Sequence, residues 1–294
     1  MKQLPIIVVS DSTDKWSTQN AASPFRYPGG KGFLTSYLAR RVAALNTGRE
    51  IHFCEPFCGG AGAALNLLAA EIVSVVHLND ADLRIHSAWR AMLDEPDRFI
   101  EAIHTAKLDM PEWYEYQRIA AIKPTEYSFE VGFAAFYMNR TTRSGIIERA
   151  GPIGGYDQTG KWKIDARFNR DRLASQVDQI RKRRDQIVLS NIDALAFLDQ
   201  KRRALDVEST LFFVDPPYVK AGGRLYLNGM TEAKHIALAD LLTSGTIPHW
   251  VLTYDDAPLI REIYRGANMS HISVNYSLQQ KRKENEILVL PVLG

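Results

Sequence analysis

The chain has 294 residues, is 46% hydrophobic and 24% charged, and carries 36 Lys and Arg against 34 Asp and Glu, a net charge of +2. That composition belongs to an ordinary globular protein and excludes disordered, collagen-like and polyelectrolyte chains. Two cysteines, Cys54 and Cys58, cannot build a disulfide framework or a four-thiolate zinc site and read as small buried residues, so a reducing, cytoplasmic setting is expected.

The first apolar stretch, Leu4 to Val9, is too short for a signal-peptide core. The rest of residues 1 to 23 is polar and aperiodic, and the segment is expected to be a flexible arm. Pro24-Phe25-Arg26-Tyr27-Pro28-Gly29-Gly30-Lys31 then joins aromatics to a glycine pair and a lysine. Such a turn exposes backbone N–H groups beside a cation and suits a carboxylate or a phosphate. Ile51 to Glu55 predicts a strand, Pro56 and the glycines a turn, and Ala61 to Ala70 a helix. Ile72 to Leu78 predicts a second strand, which completes a βαβ unit with Asn79 and Asp80 just past its end.

In the segment Phe53-Cys54-Glu55-Pro56-Phe57-Cys58-Gly59-Gly60-Ala61-Gly62 the glycines let a ligand approach the backbone, although taken singly such a stretch is more often only a turn. Asp80 lies about 20 residues beyond them, the separation at which an acid meets ribose hydroxyls in nucleoside-binding folds. The spacing is not G-x-G-x-x-G, so a nucleoside without a pyrophosphate is the expected ligand. The window from Gly59 to Leu78, broken by Asn66, Glu71 and His77, lacks the about 20 predominantly apolar residues of a membrane span, and no membrane association is expected.

From about Asp97 to Arg184 the pattern changes to helices around Glu112 to Ile122 and Phe129 to Arg140, a Gly-, Pro- and Arg-rich stretch, and a basic helix from Asn169 to Arg184. Met138 to Arg184 holds twelve basic residues against five acidic ones, a larger surplus than that of the whole chain. This is a common footprint of a polyanion partner, although Arg181 to Arg184 taken alone reads first as a solvated helix face. The α/β pattern resumes with a strand at Ile187 to Leu189, a helix near Ala194 to Leu198 and a strand at Thr210 to Val214. That strand runs into Asp215-Pro216-Pro217-Tyr218, which places a carboxylate, a stiff turn and a flat ring at the sheet edge where open α/β sheets bind ligands; a plain strand-ending turn is the alternative. Further strands are predicted at His249 to Tyr254, His271 to Val274 and Ile287 to Val292, the last two as an antiparallel hairpin.

The Lys31 segment, the Glu55 to Gly62 turn, Asn139-Arg140 with Gly145, Asp215-Pro216-Pro217-Tyr218 and the closing Asn285-Glu286-Ile287-Leu288 occur in an order that resembles the Dam-like, D12-class adenine-specific DNA methyltransferases, the alpha group of amino-methyltransferases. The likeness covers about residues 24 to 291. It implies an α/β fold with a Rossmann-like, seven-stranded, mostly parallel sheet, an antiparallel edge hairpin and an inserted, mainly helical target-recognition module. The catalytic domain would comprise 24–96 and 185–294, and the insertion 97–184.

The resemblance also implies transfer of the methyl group of S-adenosylmethionine to N6 of an adenine flipped out of double-stranded DNA, with no metal. It assigns catalysis to Asp215, Pro216, Pro217 and Tyr218, and cofactor binding to Tyr27, Gly29, Gly30, Lys31, Glu55, Pro56, Phe57, Gly59, Gly60, Gly62 and Asp80. Lys31 would meet the methionine carboxylate. Asp193 would bind the cofactor's adenine, with an N-cap as the equal alternative. Arg26, Asn139, Arg140, Arg143, Arg149, Lys281 and Arg282 would contact DNA, Arg143 and Arg149 at guanine edges, with Lys283 beside them. Tyr254 and Tyr276 read first as packed core, His235 as structural, and Lys220 to Gly229 as a closing loop. A monomer or weak dimer is expected, acting either as an orphan enzyme or beside a cognate restriction endonuclease. The alternatives are an RNA adenine methyltransferase and a non-catalytic, cofactor-binding regulator.

Overall fold

In the computed structural model, which describes residues 4–8, 22–26, 30–45, 48–145, 147, 150–219, 230–273 and 286–292, the apolar runs of the chain become strands of one sheet. These are β1 (Ile6–Val8), β2 (His52–Glu55), β3 (Val75–Asn79), β4 (Ile187–Ser190), β5 (Thr210–Val214), β6 (Trp250–Asp255), β7 (Asn268–Ser273) and β8 (Glu286–Leu290). Their order is β1-β7-β8-β6-β5-β2-β3-β4, and only β8 runs antiparallel to its neighbours. Seven of them make the mostly parallel, Rossmann-like sheet expected from the sequence.

The eighth is β1, and it corrects the expectation of a flexible arm for residues 4–8. Ile6 to Val8 run beside β7, and the His271 N–H donates to the Pro5 carbonyl at 2.7 Å. Three β-branched residues suffice there because a neighbouring strand is already in place to pair with them. The predicted hairpin of β7 and β8 forms, but β8 enters between β6 and β7, so the antiparallel strand lies inside the sheet.

The helices are α1 (Thr35–Ala43), α2 (Gly62–Ala69), α3 (Leu83–Asp94), α4 (Pro96–Thr105), α5 (Met110–Ala120), α6 (Phe129–Thr141), α7 (Arg170–Arg181), α8 (Ala194–Ala204), α9 (Glu232–Thr243) and α10 (Pro258–Ile263). Side chains alternate across a strand, and this alternation sorts the core into two layers. Phe53, Leu211, Phe213, Val251 and Leu288 pack with α1 to α7 on one face. Cys54, Phe212, Val214, Leu252, Ile287 and Val289 pack with α8 to α10 on the other.

The helices between residues 97 and 184 share the first of these layers. Phe99 meets Phe129, Phe133 and Phe136 edge-on, and Phe136 meets Phe168. α3 and α6 come close because Gly132 has no side chain; a Cβ there would lie 2.6 Å from the backbone of Ser87 and Ala88. Side-chain caps start several helices: Asp109 accepts from Glu112 N–H at 2.9 Å, Ser128 from Val131 N–H at 3.2 Å and Asn169 from Arg172 N–H at 2.9 Å. The run from Arg181 to Arg184 serves the same assembly, Arg181 pairing with Asp97 and Arg184 with Asp94, each at 3.0 Å. Among the described residues no helix is long and apolar enough to cross a membrane.

Candidate active site

The chain leaves β2 in one direction for β3 and β4, while β5 and β6 lie on its other side. The C-terminal ends of β2 and β5 therefore flank the switch point, where open α/β sheets take their ligands. Glu55, Asn79, Asp215 and Asp255 arrive at this edge from the parallel strands or their ends. Because β8 is antiparallel, it delivers its first residue there, and Glu286 stands opposite Asp255.

On the β2 and β3 side, the turn from Pro56 to Ala61 uses left-handed backbone at Gly59 (φ 45) and at Ala61 (φ 46). For a non-glycine residue such a conformation costs on the order of 1–3 kcal/mol. The turn is held from several directions. The Asn79 amide donates to the carbonyls of Pro56 and Ile192, each at 3.0 Å, and Trp89 Nε1–H donates to the Gly59 carbonyl at 2.8 Å. The Ser23 hydroxyl donates to the Gly60 carbonyl. Asp80 accepts from the N–H of Gly59 at 3.0 Å and of Asp82 at 2.9 Å. Glu55 is buried and accepts from Ala64 N–H at 3.1 Å, capping α2, whose own N-cap residue, Ala61, gives no side-chain bond.

Burial pushes the Glu55 carboxyl up to about 8, with Asp215 nearby adding to the effect. Burial, with Asp82 nearby, pushes Asp80 up to about 7. Among the described residues neither has a cation within ion-pair distance.

On the β5 side, Asp215 is fixed through both oxygens. Oδ2 lies 3.1 Å from Lys31 Nζ, while Oδ1 accepts from Thr253 Oγ1 at 2.5 Å and from the Tyr218 hydroxyl at 3.3 Å. Lys31, with a side chain only 4% exposed, also lies 3.8 Å from Glu286 Oε1 and 5.2 Å from the centre of the Tyr218 ring. The Val219 N–H donates to Asp255 Oδ1 at 3.0 Å, which fixes the exit of the Pro216-Pro217-Tyr218 turn. Tyr218 and Tyr254 stand 6.1 Å apart. Tyr254 is fully buried and shares a 2.5 Å hydrogen bond with His235 Nδ1, a packing role for both.

The structure shows what several of the expected site residues touch. The Lys31 ammonium is engaged by Asp215 and Glu286, because the 3-10 turn Lys31–Leu34 directs it at the end of β5. Asn139 was expected at DNA, but it is fully buried and acts as a clamp. Its amide donates to the carbonyls of Arg26 at 2.6 Å and Gly145 at 2.8 Å and accepts from Arg26 N–H at 2.7 Å, and the side chain has no exposed surface. Asp193 caps α8, accepting from the N–H groups of Leu195 and Ala196, and also pairs with Lys234 at 2.8 Å.

Arg26 and Arg140 are half-buried, whereas Arg143 and Gly30 are exposed. Tyr27, Gly29, Arg149, Tyr276, Lys281, Arg282, Lys283 and the loop 220–229 lie outside the described residues. Thr253, and the pairing of Glu286 with Lys31, were missed. Finding them requires the register of β5, β6 and β8, which no local motif contains.

A family model described as D12 class N6 adenine-specific DNA methyltransferase matches residues 27–278. Among solved structures, two of the rRNA methyltransferase aviRa from Streptomyces viridochromogenes align over 97% of this chain and 96% of theirs, at 13% and 12% identity and TM-scores of 0.39 and 0.38. Comparison with curated proteins gives no match.

Proposed function

The chain belongs to the D12 class N6 adenine-specific DNA methyltransferase family, and from that premise we propose that it methylates N6 of an adenine flipped out of a specific site in duplex DNA. The observation that carries this reading is the Asp215 carboxylate, oriented by Lys31, Thr253 and Tyr218 at the switch-point edge.

The family uses S-adenosylmethionine, which supplies a methyl group already activated on a sulfonium. The donor set fits such a ligand. Glu55 and Asp80 are carboxyl groups raised by burial and without a cation partner among the described residues, and a sulfonium and an ammonium are cations. Asp80 would hold the ribose hydroxyls, and Glu55, Pro56, Phe57 and the Gly59 to Gly62 turn the methionine and sugar. Asp193, beside the end of β4, would take the adenine amino group in exchange for its contact with Lys234.

The target amine is a poor nucleophile because its lone pair is delocalised into the ring. Asp215 and the Pro216 carbonyl would accept its two N–H groups and draw the nitrogen toward a tetrahedral shape. After transfer the nitrogen holds one proton too many, and Asp215 is the base in place to take it. Tyr218, on the turn stiffened by Pro216 and Pro217, would stack on the flipped base, whose removal from the duplex costs a few kcal/mol. The segment 97–184 would serve as the target-recognition module, with Arg143 exposed to reach a base edge. Arg149, Lys281 and Arg282 complete the proposed DNA contacts.

The test is incubation of the purified protein with labelled S-adenosylmethionine and the same sequences as duplex DNA, single-stranded DNA and RNA, followed by nucleoside analysis. N6-methyladenine in the duplex is expected. Transfer confined to RNA would overturn the choice of polymer, and cofactor binding without transfer to any of them would favour a regulator.

A further inference from the structure

The basic surplus between Met138 and Arg184 is not spread evenly over the surface. Much of it is spent on contacts within the chain: Arg181, Lys182 and Arg184 form ion pairs, and Arg170 donates to the carbonyls of His104 and Ala106. Four other arginines gather instead around the segment 22–26. The Asn139 amide grips the backbone of Arg26 and so sets it beside Arg140, the next residue of α6, which in turn donates to the Pro24 carbonyl at 3.4 Å. Gln176 of α7 donates to the Ser23 carbonyl at 3.0 Å, and Arg172 stands one turn earlier on the same helix face. Arg167 lies at the end of the 3-10 turn Ile164–Arg167, just before α7.

Among the described residues no carboxylate lies within ion-pair distance of Arg26, Arg140 or Arg167. Burial, together with the charges of Arg26, Arg172 and Arg167, pushes the Arg140 guanidinium down to about 9. Buried nitrogens Nη1 of Arg26 and Nε of Arg140 have no hydrogen-bond partner. Unsatisfied buried donors and crowded like charges both work against the fold, and an anion seated among the guanidinium groups relieves the crowding. Arg26 and Arg140 form a half-buried floor, whereas Arg167 and Arg172 are exposed at the rim, which is the side from which a ligand would approach. At that rim stands Trp162, 60% exposed, its ring centre 5.9 Å from the Arg167 guanidinium and 5.8 Å from Lys161 Nζ.

Resting on the DNA reading, we propose that Arg26, Arg140, Arg167 and Arg172 seat one phosphodiester group of the DNA strand, with Trp162 against the neighbouring sugar or base. A planar guanidinium fork matches phosphate oxygens, and an aromatic face accepts any base. Such a seat positions the duplex and carries no sequence information. Arg26 and Arg140 therefore hold the backbone, in contrast to Arg143. The seat is tied to the cofactor turn, since Ser23 binds the Gly60 carbonyl and Ala22 N–H donates to Asn66 of α2 at 3.1 Å.

The experiment compares the full chain with Arg140→Met and Arg140→Lys. Melting is followed with inorganic phosphate against chloride at constant ionic strength, and binding to several unrelated duplexes is followed across a salt series. Phosphate should raise the melting temperature of the parent protein and leave that of Arg140→Met unchanged. Arg140→Met should melt no lower than the parent in chloride, which also shows that it folds. It should weaken binding equally on every duplex and reduce the slope of log K against log salt by about one, with Arg140→Lys restoring the slope. An unchanged slope overturns the proposal, and with phosphate stabilisation intact it assigns the seat to free phosphate. A loss confined to one DNA sequence also overturns it, by making Arg140 a base reader. Methyl transfer to DNA that persists in these cases leaves the wider function standing, whereas absence of transfer by the parent protein is a failure of that function and not of the seat.

Discussion

Asp215 is gripped by Lys31 from the turn before α1, by Tyr218 just past the two prolines and by Thr253 from β6, so its orientation depends on three separate parts of the chain. Thr253→Val keeps the shape of a fully buried side chain and removes one hydrogen bond to a carboxylate, an interaction worth about 1.5–3 kcal/mol. The maximal rate should fall by about 10- to 100-fold with cofactor affinity unchanged, and Thr253→Ser should recover most of it; single-turnover transfer beside calorimetric cofactor binding checks this. Glu55 makes a different prediction. Its carboxyl is raised by burial from 4.5 to about 8, so the neutral form is favoured in the fold. Its contribution to stability is complete below about pH 4.5 and is lost as the pH rises through about 8, the same sense as for Asp80. Melting curves of the ligand-free protein from pH 5 to 9 should show this decline, and Glu55→Gln should flatten part of it; an identical decline in the variant would deny Glu55 the role. The contiguous Asp215 to Tyr218 signal was legible because a strand end and its turn sit together in sequence. Thr253 and the Glu286 contact were not, since they meet Asp215 and Lys31 only across the sheet.

At the scale of elements, the strands were the most legible because buried parallel strands are continuous apolar runs, as Thr210 to Val214 is. Helices α1, α3, α4 and α10 had no place in the sequence reading, although α3 carries its signal openly: Ile85, Ala88, Trp89 and Met92 are all buried and recur at helical spacing. What hid α3 was the charge mixed among these residues: Arg84, itself buried, with His86 and Arg90 interrupts the apolar pattern. The packing of α3 on α6 yields a prediction for this level. Gly132→Ala places a methyl group against the backbone of Ser87 and Ala88, where no flexible side chain can move aside. Overpacking of this kind costs about 1–3 kcal/mol. The melting temperature should drop by roughly 2–4 °C for each kcal/mol, and an unchanged value would mean that the two helices are not in tight contact.

For the whole molecule, a net charge of +2 conceals a division between a basic central segment and a net acidic remainder. Composition revealed that segment, but only the structure separates cations bound in ion pairs, such as Arg181 and Arg184, from the clustered Arg26 and Arg140. A protein that neutralises 6–10 phosphates loses about 10³–10⁵ in DNA affinity between 50 and 200 mM salt. DNA binding should show a steep dependence of this kind, whereas binding of a single small cofactor at Glu55 and Asp80 should change far less; parallel salt titrations of the two ligands read the difference directly.

The most direct measurement is single-turnover methyl transfer to duplex DNA, with nucleoside analysis, for the parent protein and Asp215→Asn, each with its cofactor and DNA affinities determined. The parent should yield N6-methyladenine, and Asp215→Asn should bind both ligands normally yet transfer at least about 100-fold more slowly. A variant that transfers at the parental rate, or methylation of an atom other than adenine N6, would contradict the proposed role of the Asp215 carboxylate.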